Sequence, residues 1–404
     1  MKVSVIGQGY VGLTIAMGAA AVGHRVIGLD VNEKLISQLS QGNSYVPGVN
    51  KELLVGLIQS SQYLPTSDSN LINDSEVIII AVPTPLTIDR KPDLTYIESA
   101  INVISKNMKT PALIVNESTS YPGTLQNFIK LKLEKLSKQK HLFAAAPERV
   151  DPGNEKWTLY NTPRVIAGLT DEATDKAIEF YSTFCEKVYR APNAEVAEAS
   201  KLFENTFRQI NIALVNEFSE ISKKLGFSAN DAIKAASTKP FGFMPFFPSI
   251  GVGGHCIPVD PSYLSFISES FGAKAKFIEL ANQTNLLMPK KVALMLQVEL
   301  GGSLKDTRIQ LAGIAYKPDV SDMRESPAVE LMIELEKLGA KVSWCDPLVG
   351  EFNNKISSQI DPNIDLGLII TPHKEIDFLV WKNSGTKVLD LSANSKDFGW
   401  PKFL

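Results

Sequence analysis

At 404 residues the chain exceeds what one hydrophobic core usually organises, so two or three domains are expected. Hydrophobic residues make up 44% and charged residues 21%, the make-up of an ordinary globular protein. The net charge of −3, without a dense basic stripe, argues against a nucleic-acid partner, and no uncharged run reaches bilayer length, so no membrane partner is expected.

Val3-Ser4-Val5-Ile6 reads as a short buried strand. It runs into Gly7-Gln8-Gly9-Tyr10-Val11-Gly12, and a helical pattern follows from Leu13 to Val22. A second strand, Arg25 to Leu29, ends on Asp30. Strand, G-x-G-x-x-G turn, helix and acid form the dinucleotide-binding context. Gly7 makes the tight turn, Gly9 admits a pyrophosphate and Gly12 brings helix and strand close; Tyr10 and Val11 complete the turn. The helix N-terminus offers N–H groups and partial positive charge to phosphates. Asp30 would accept hydrogen bonds from ribose hydroxyls and repel a 2′-phosphate, which favours NAD over NADP.

Three further strands are expected. Glu76 to Val82 leads to Thr84, and Ala112 to Asn116 leads to Ser118 and Thr119. Leu142 to Ala146 leads to Glu148 and Arg149. Polar residues at such strand ends are where a doubly wound sheet binds ligands, although each alone is also ordinary loop chemistry. Glu148 and Arg149, beside Asp151, equally suit a surface ion pair. The Lys130 to Lys140 segment sets Leu131, Leu133 and Leu136 among lysines, as on an amphipathic helix with a solvated face. Val165 to Gly168, a helix from Asp171 to Phe184 and a strand at Lys187 to Tyr189 close the first domain at residue 192.

Ala194 to Leu225 lacks proline and glycine and repeats apolar residues at helical spacing, so it reads as a long connecting helix. Lys201 and Asn205 lie one turn apart on it and face the same side. By itself Lys201 reads as a solvated helix lysine. Aromatics crowd Phe241 to Phe247 before a second helix, Ala273 to Leu300, broken at Pro289. The last part repeats the α/β pattern: strands near Ile309 to Gly313, Lys341 to Cys345, Leu366 to Ile370 and Lys387 to Leu391, with a helix from Pro327 to Leu338. The fold class is therefore α/β, with two Rossmann-like doubly wound domains joined by a long central helix. Their extents are 1–192, 193–300 and 301–404.

Gly251-Val252-Gly253-Gly254-His255-Cys256-Ile257-Pro258-Val259-Asp260 is the chain's most distinctive stretch. Glycines let the backbone approach a ligand, and the prolines hold Asp260 at a set distance from the thiol. Cys256 there serves equally as a nucleophile or as a structural thiol. The three cysteines are far apart and the four histidines scattered, so neither a disulfide framework nor a metal site is expected. A reducing, cytoplasmic setting fits.

Taken together, these stretches resemble the UDP-sugar 6-dehydrogenases, the family of UDP-glucose and UDP-N-acetylmannosamine dehydrogenase, over essentially the whole chain. The resemblance rests on the Gly7 to Gly12 turn, Val82 to Pro85, and Ser118 to Thr124. It continues through Pro147 to Arg149, Lys201 to Thr206, Gly251 to Pro261 and Tyr316 to Pro327. It implies oxidation of a sugar C6 alcohol to a carboxylate with two NAD and one water. Cys256 would carry a thiohemiacetal and then a thioester; Lys201 and Asn205 would stabilise the oxyanion. Asp260 and Thr119 would position water, and Glu148 would assist as base. Thr84, Ser118 and Thr119 join the cofactor-binding candidates.

Val259 stands where UDP-glucose enzymes carry lysine, and Pro152 where they carry a second glutamate. His255 and the run Pro147 to Asn154 resemble the branch acting on UDP-N-acetylhexosamines. Pro240 replaces an arginine offered by a neighbouring subunit, with Lys239 beside it as a substitute. Arg149, Gly253, His255, Lys317 and Arg324 complete the substrate-binding candidates. Arg324 suits phosphate or carboxylate recognition, or an ion pair with Asp319 or Asp322. The expected activity is NAD-dependent oxidation of UDP-GlcNAc, UDP-ManNAc or UDP-GalNAc, by a homodimer or higher homo-oligomer. A UDP-glucose 6-dehydrogenase and a non-catalytic protein binding NAD and a nucleotide sugar are the alternatives.

Overall fold

The computed structural model describes residues 1–44, 46, 49–151, 154, 156–393 and 398–404. Two compact units emerge: Met1–Glu204 with Ser262–Ala273, and Asn205–Pro261 with Lys274–Leu404.

The first unit is built on strands β1 (Lys2–Ile6), β2 (Arg25–Leu29), β3 (Tyr63–Thr66), β4 (Val77–Ile80), β5 (Leu113–Asn116), β6 (Leu142–Ala145), β7 (Arg164–Gly168) and β8 (Val188–Arg190). They lie in the order β3-β2-β1-β4-β5-β6-β7-β8, all pairs parallel except β6 with β7. The order reverses between β1 and β4, the switch point where such sheets bind ligands. β4, Val-Ile-Ile-Ile, is buried throughout, as a parallel strand covered on both faces must be.

Helices cover both faces: α1 (Tyr10–Ala21), α2 (Glu33–Ser40), α3 (Lys51–Gln59), α4 (Thr95–Asn107), α5 (Leu131–Leu136) and α6 (Asp171–Tyr181). One core gathers Leu13, Ile15, Leu54 and Phe180; the other gathers Ile97, Ile101, Ile129 and Leu133. Asn32, Asn50 and Thr170 cap α2, α3 and α6 by accepting from backbone N–H groups.

Three local readings change. β3 escapes the sequence reading because Pro65 interrupts it; as an edge strand it tolerates the missing donor. In the lysine-rich segment a π-helical stretch, Leu125–Lys130, leads into α5, and only Leu133 of the three leucines is buried. Pro289 does not break its helix, as described below.

α7 (Ala194–Leu225) runs 32 residues, about 48 Å at the standard rise. The second unit continues with α8 (Ala229–Ala236), α9 (Asp260–Ser270), which passes into the first unit, and α10 (Lys276–Glu299). α10 stays continuous through Pro289. Burial of Met288, Val292, Ala293 and Leu296 in the core holds it against a lost bond worth about 3 kcal/mol.

A fully parallel sheet, β10-β9-β13-β14, follows, with β9 (Arg308–Ala312), β10 (Lys341–Cys345), β13 (Leu366–Ile369) and β14 (Val388–Asp390). A two-stranded hairpin of β11 (Glu351–Phe352) and β12 (Lys355–Ile356) precedes β13. α11 (Pro327–Lys337) packs into the same core, and α12 (Leu379–Ser384) contributes Trp381.

Trp381 is fully buried, donates from Nε1 to the Asp361 carbonyl at 3.1 Å, and lies flat against Gly367, where a Cβ would come within 3.0 Å of the indole. Trp381→Ala should therefore cost about 3–5 kcal/mol. Denaturant unfolding of the variant reads this directly; an unchanged midpoint would show that the indole does not organise this sheet.

Candidate active site

At the switch point, β1 ends in the glycine turn. A Cβ on Gly12 would stand 1.8 Å from the Gly7 carbonyl oxygen, and one on Gly7 would stand 2.4 Å from that of Ala81. Only hydrogen fits at either place. Gly9 is the N-cap of α1 and brings no side chain to the first turn, which also holds no acid, so the helix N-terminus there suits an anion. Asp30 shapes the same turn: its Oδ2 accepts from Gln8 N at 2.7 Å and its Oδ1 from Asn32 N at 2.9 Å.

Gln8, which sequence reasoning passed over, is buried under the turn. It donates to the Val5 carbonyl at 2.8 Å and accepts from the Tyr63 hydroxyl at 2.7 Å. Gly28 makes room for that pair, since a Cβ there would strike both. Tyr10, Val11 and Asp30 remain partly exposed around this turn.

At the neighbouring strand ends Thr84, Ser118 and Thr119 are buried. The Ser118 hydroxyl accepts from Val82 N at 2.9 Å and donates to the Val82 carbonyl at 2.8 Å, tying the ends of β4 and β5 together.

Arg164 lies behind them, 3% exposed, and no motif in the sequence singled it out. Its Nη1 meets Glu117 at 2.9 Å and its Nη2 meets Glu148 at 2.8 Å, while the Tyr181 ring lies 5.1 Å from the guanidinium carbon. The Tyr181 hydroxyl donates to Glu117. Glu148 also accepts from Arg149 N at 2.6 Å and Val150 N at 2.5 Å.

These surroundings push the two carboxylates apart. Burial pushes Glu117 up to about 7, with Arg164 pulling down and Glu148 pushing up. Burial also raises Glu148, but Arg164, the Val150 and Arg149 N–H groups and the charge of Lys201 outweigh it and hold it below the usual carboxylate range. Glu148 is thus a fixed anion and a weak base.

The surface ion pair at Glu148 and Arg149 is not formed. Arg149 turns instead to Glu204, at 2.6 Å from Nη2, and to the Pro163 carbonyl at 3.0 Å. Lys201 is no solvated lysine: it is only 8% exposed. Pro152 and Gly153, part of the run from Pro147 to Asn154, lie outside the described residues.

In the second unit, α7 and α10 are joined by buried amides. Gln209 donates to Asn282, Asn216 to Asn285 at 3.3 Å, and Asn285 to the Gln209 carbonyl at 3.1 Å. Asn216 Oδ1 accepts from Ser249 N at 2.8 Å, which anchors the start of the glycine loop. Gly254, at φ 85°, donates its N–H to the Arg324 carbonyl at 3.0 Å, and a Cβ there would meet the Tyr316 ring at 2.8 Å. Gly253 is packed as closely, between Tyr316 and Pro327.

The loop presents a half-buried His255 and Cys256, and the Cys256 carbonyl accepts from Asp260 N at 2.8 Å as α9 begins. Asn205 donates to Asp260 Oδ2 at 2.6 Å, so two residues 55 apart in sequence are brought together. Lys239 is exposed, its ammonium 4.8 Å from the Phe241 ring centre.

At the end of β9 the loop holding Lys317 is organised by Asp346. Its Oδ2 accepts from Ile314 N, Ala315 N and His373 Nε2 at 2.8–3.0 Å, and His373 Nδ1 accepts from Asp319 N at 2.9 Å. His373 therefore carries its proton on Nε2. Arg324 forks onto Asp322, with Nη2 at 2.6 Å, the ion-pair alternative of its two readings.

Over residues 1–190 the chain matches the NAD binding domain of the UDP-glucose/GDP-mannose dehydrogenase family, over 195–286 the central domain, and over 310–393 the UDP binding domain. The chain belongs to that family. It is an NAD-dependent UDP-sugar dehydrogenase, an oxidoreductase. The acid-free first turn of α1, capped by Gly9, and the pinned carboxylate of Asp30 fit the cofactor.

Among curated relatives, UDP-N-acetyl-D-mannosamine dehydrogenase of Pyrococcus horikoshii is 33% identical over 395 residues, covering 95% of this chain and 92% of its own. That of Methanococcus vannielii is 36% identical, covering 93% and 86%. Among solved structures, the UDP-D-ManNAc dehydrogenase of Pyrococcus horikoshii superposes with a TM-score of 0.87 at 30% identity, over 99% and 98% of the two chains. A UDP-glucose dehydrogenase from Pyrobaculum islandicum reaches 0.89 at 25% identity, over 98% and 94%.

The buried pair generates a pH test. Glu117 titrates near 4.5 when unfolded and about 7 when folded. The folded state thus binds its proton more tightly, and this group subtracts stability as pH rises through that window. Glu117→Gln cannot lose a proton. Its melting temperature minus that of the parent should grow from about pH 4.5 to about pH 7 and level off above. A difference flat across that window would mean Glu117 is ionised throughout.

Proposed function

We propose that this dehydrogenase oxidises the C6 hydroxyl of a UDP-N-acetylhexosamine to a carboxylate through a thioester on Cys256. The observation that carries the sugar is kinship along nearly the whole chain with UDP-N-acetyl-D-mannosamine dehydrogenases. Backbone shape does not discriminate, since a UDP-glucose dehydrogenase superposes equally well at lower identity. Val259 before the loop aspartate, where the UDP-glucose enzymes resembled here carry lysine, supports the same choice. The functional segments are 1–192 for NAD, 193–300 for the cysteine loop and assembly, and 301–404 for UDP.

NAD, held by Gly7, Gly9, Gly12 and Asp30, supplies the hydride acceptor for both oxidations. Cys256 Sγ adds to the C6 aldehyde left by the first, forming a C–S bond while the carbonyl oxygen takes up a proton. The second oxidation removes the hydride on carbon and that proton, leaving a thioester. Water breaks the C–S bond and frees carboxylate and thiol. One alcohol and one water thus yield a carboxylate, two hydrides and three protons.

Lys201 and Asn205 stabilise the oxyanion, and Asp260, oriented by Asn205, positions the water with Thr119. Glu148 contributes as a fixed anion, because a carboxyl held below its usual range accepts protons poorly near neutrality.

Phe203, Phe207, Leu214, Ile221 and Leu225 form one exposed stripe along α7. A second copy of the chain covers such a stripe, so the active species is a homodimer or a multiple of it. Light scattering should return at least twice the chain mass; a monomer at micromolar concentration would remove this part of the proposal.

The chemistry is tested by NADH formation with UDP-N-acetylhexosamines and UDP-glucose, for the parent, Cys256→Ala and Cys256→Ser. The parent should turn over an N-acetylhexosamine fastest, and both variants should lose several orders of magnitude. Cys256→Ser should also retain a sugar-sized adduct by mass spectrometry, through a slowly hydrolysed ester. UDP-glucose turning over fastest would overturn the sugar assignment, and a Cys256→Ala rate near the parent's would overturn the thioester.

A further inference from the structure

Glu198 lies on α7, one turn before Lys201, and is 2% exposed. Its carboxylate reaches away from its own helix into the loop that follows β5. Oε2 accepts from Gly123 N at 2.7 Å, and Oε1 accepts from Leu125 N at 2.9 Å and the Ser120 hydroxyl at 3.1 Å. Ser120 Oγ in turn accepts from Asn116 Nδ2 at 3.1 Å, and the same amide donates to the Ser118 carbonyl at 3.1 Å.

Thr119 is therefore clamped on both sides: by Asn116 at the residue before it, and by Asn116 and Glu198 at the residue after it. Three donors converging on one buried carboxylate are more than is needed to satisfy a helix start. α7 opens on Asn193, whose own side chain accepts from Val196 N at 2.9 Å. Burial pushes Glu198 up to about 7 against these bonds, which marks the carboxylate as held in an unfavourable place by the loop.

We propose that Glu198 is a positioning residue, whose carboxylate fixes the Thr119 loop against the turn of α7 that carries Lys201 and so sets those two side chains relative to each other. This rests on the reading of Thr119 and Lys201 given under the proposed function. It adds a residue that touches neither substrate nor cofactor yet governs the rate. Registration of this kind matters because a displacement of about 1 Å can cost roughly a hundredfold in rate. Other polar bonds of the loop run within it, as from Thr124 Oγ1 to the Tyr121 carbonyl at 2.6 Å, or back to the end of β4, as from Ser118 to Val82, whereas those of Glu198 tie it to α7.

The test uses the full chain and whichever UDP-sugar the parent oxidises. Glu198→Gln keeps size and shape but turns an N–H₂ toward a donor. Glu198→Asp keeps the charge and falls one methylene short. Turnover of Glu198→Gln should fall by about a hundredfold, with the KM for the UDP-sugar little changed. Glu198→Asp should fall between it and the parent.

Thr119→Ala combined with Glu198→Gln should be scarcely slower than the slower single variant, because both act through one loop. Glu195→Gln, one turn earlier on α7, should keep the parental rate. The proposal is overturned if Glu198→Gln turns over like the parent, if the losses of the double variant multiply, or if Glu195→Gln loses as much. It is also overturned if neither Glu198 variant folds by circular dichroism, since Glu198 would then be part of the fold alone. A parent that reduces no NAD with any UDP-sugar removes the functional reading and this inference together, whereas the variant ratios judge Glu198 only.

Discussion

One guanidinium and two carboxylates, all withdrawn from water, set the terms for the first unit. Arg164 begins β7, Glu117 follows β5 and Glu148 follows β6. None of the three could be buried alone, because an isolated ion in a low-dielectric interior is several kcal/mol less stable than in water. The ends of three strands must therefore meet at one point. Whatever follows them, Ser118 and Thr119 on one side and Arg149 on the other, starts from a fixed origin. Removing one partner of such a cluster typically costs about 3–5 kcal/mol, so it is a structural commitment as well as an electrostatic one.

The same device recurs in quieter form. Amides of Gln209, Asn216, Asn282 and Asn285 join α7 to α10 and anchor Ser249, and the glycine loop then has a short path to Cys256. Asp346 gathers two backbone N–H groups and His373 beneath the loop that carries Lys317. In each case a loop with chemically active side chains hangs from buried polar groups in addition to its apolar packing. Directional bonds fix orientation, which dispersion contacts do not.

Arg149 and Arg324 show a second consequence. Both are substrate-binding candidates in the sequence, and both are forked onto carboxylates, Glu204 and Asp322. A bidentate pair of that kind has a set direction, so each guanidinium is oriented before any ligand arrives. Lys201 shows the converse: a lysine that helical spacing alone places in water is drawn inside by its helix.

The features legible in the residues alone are local and periodic. Four consecutive β-branched residues must be a covered strand, a G-x-G-x-x-G between strand and helix must be a tight turn, and 32 residues without glycine or proline must be a long helix. The bounds of β2, β10 and α7 follow the pattern to the residue. The order of motifs was enough to place the chain in its family. β3 stayed hidden because an edge strand tolerates a proline that an interior strand does not. Pro289 misled because the rule for a lone helix omits the core that holds its two halves in line.

Which charges are buried together depends on how the whole chain folds. Glu117 and Arg164 are 47 residues apart, Asn205 and Asp260 are 55 apart, and Glu198 is 78 from Ser120. No periodicity links such positions. Their partnership, and the ionisation state it imposes, arises when the chain excludes water from both at once, and that is a property of the fold rather than of any stretch of residues.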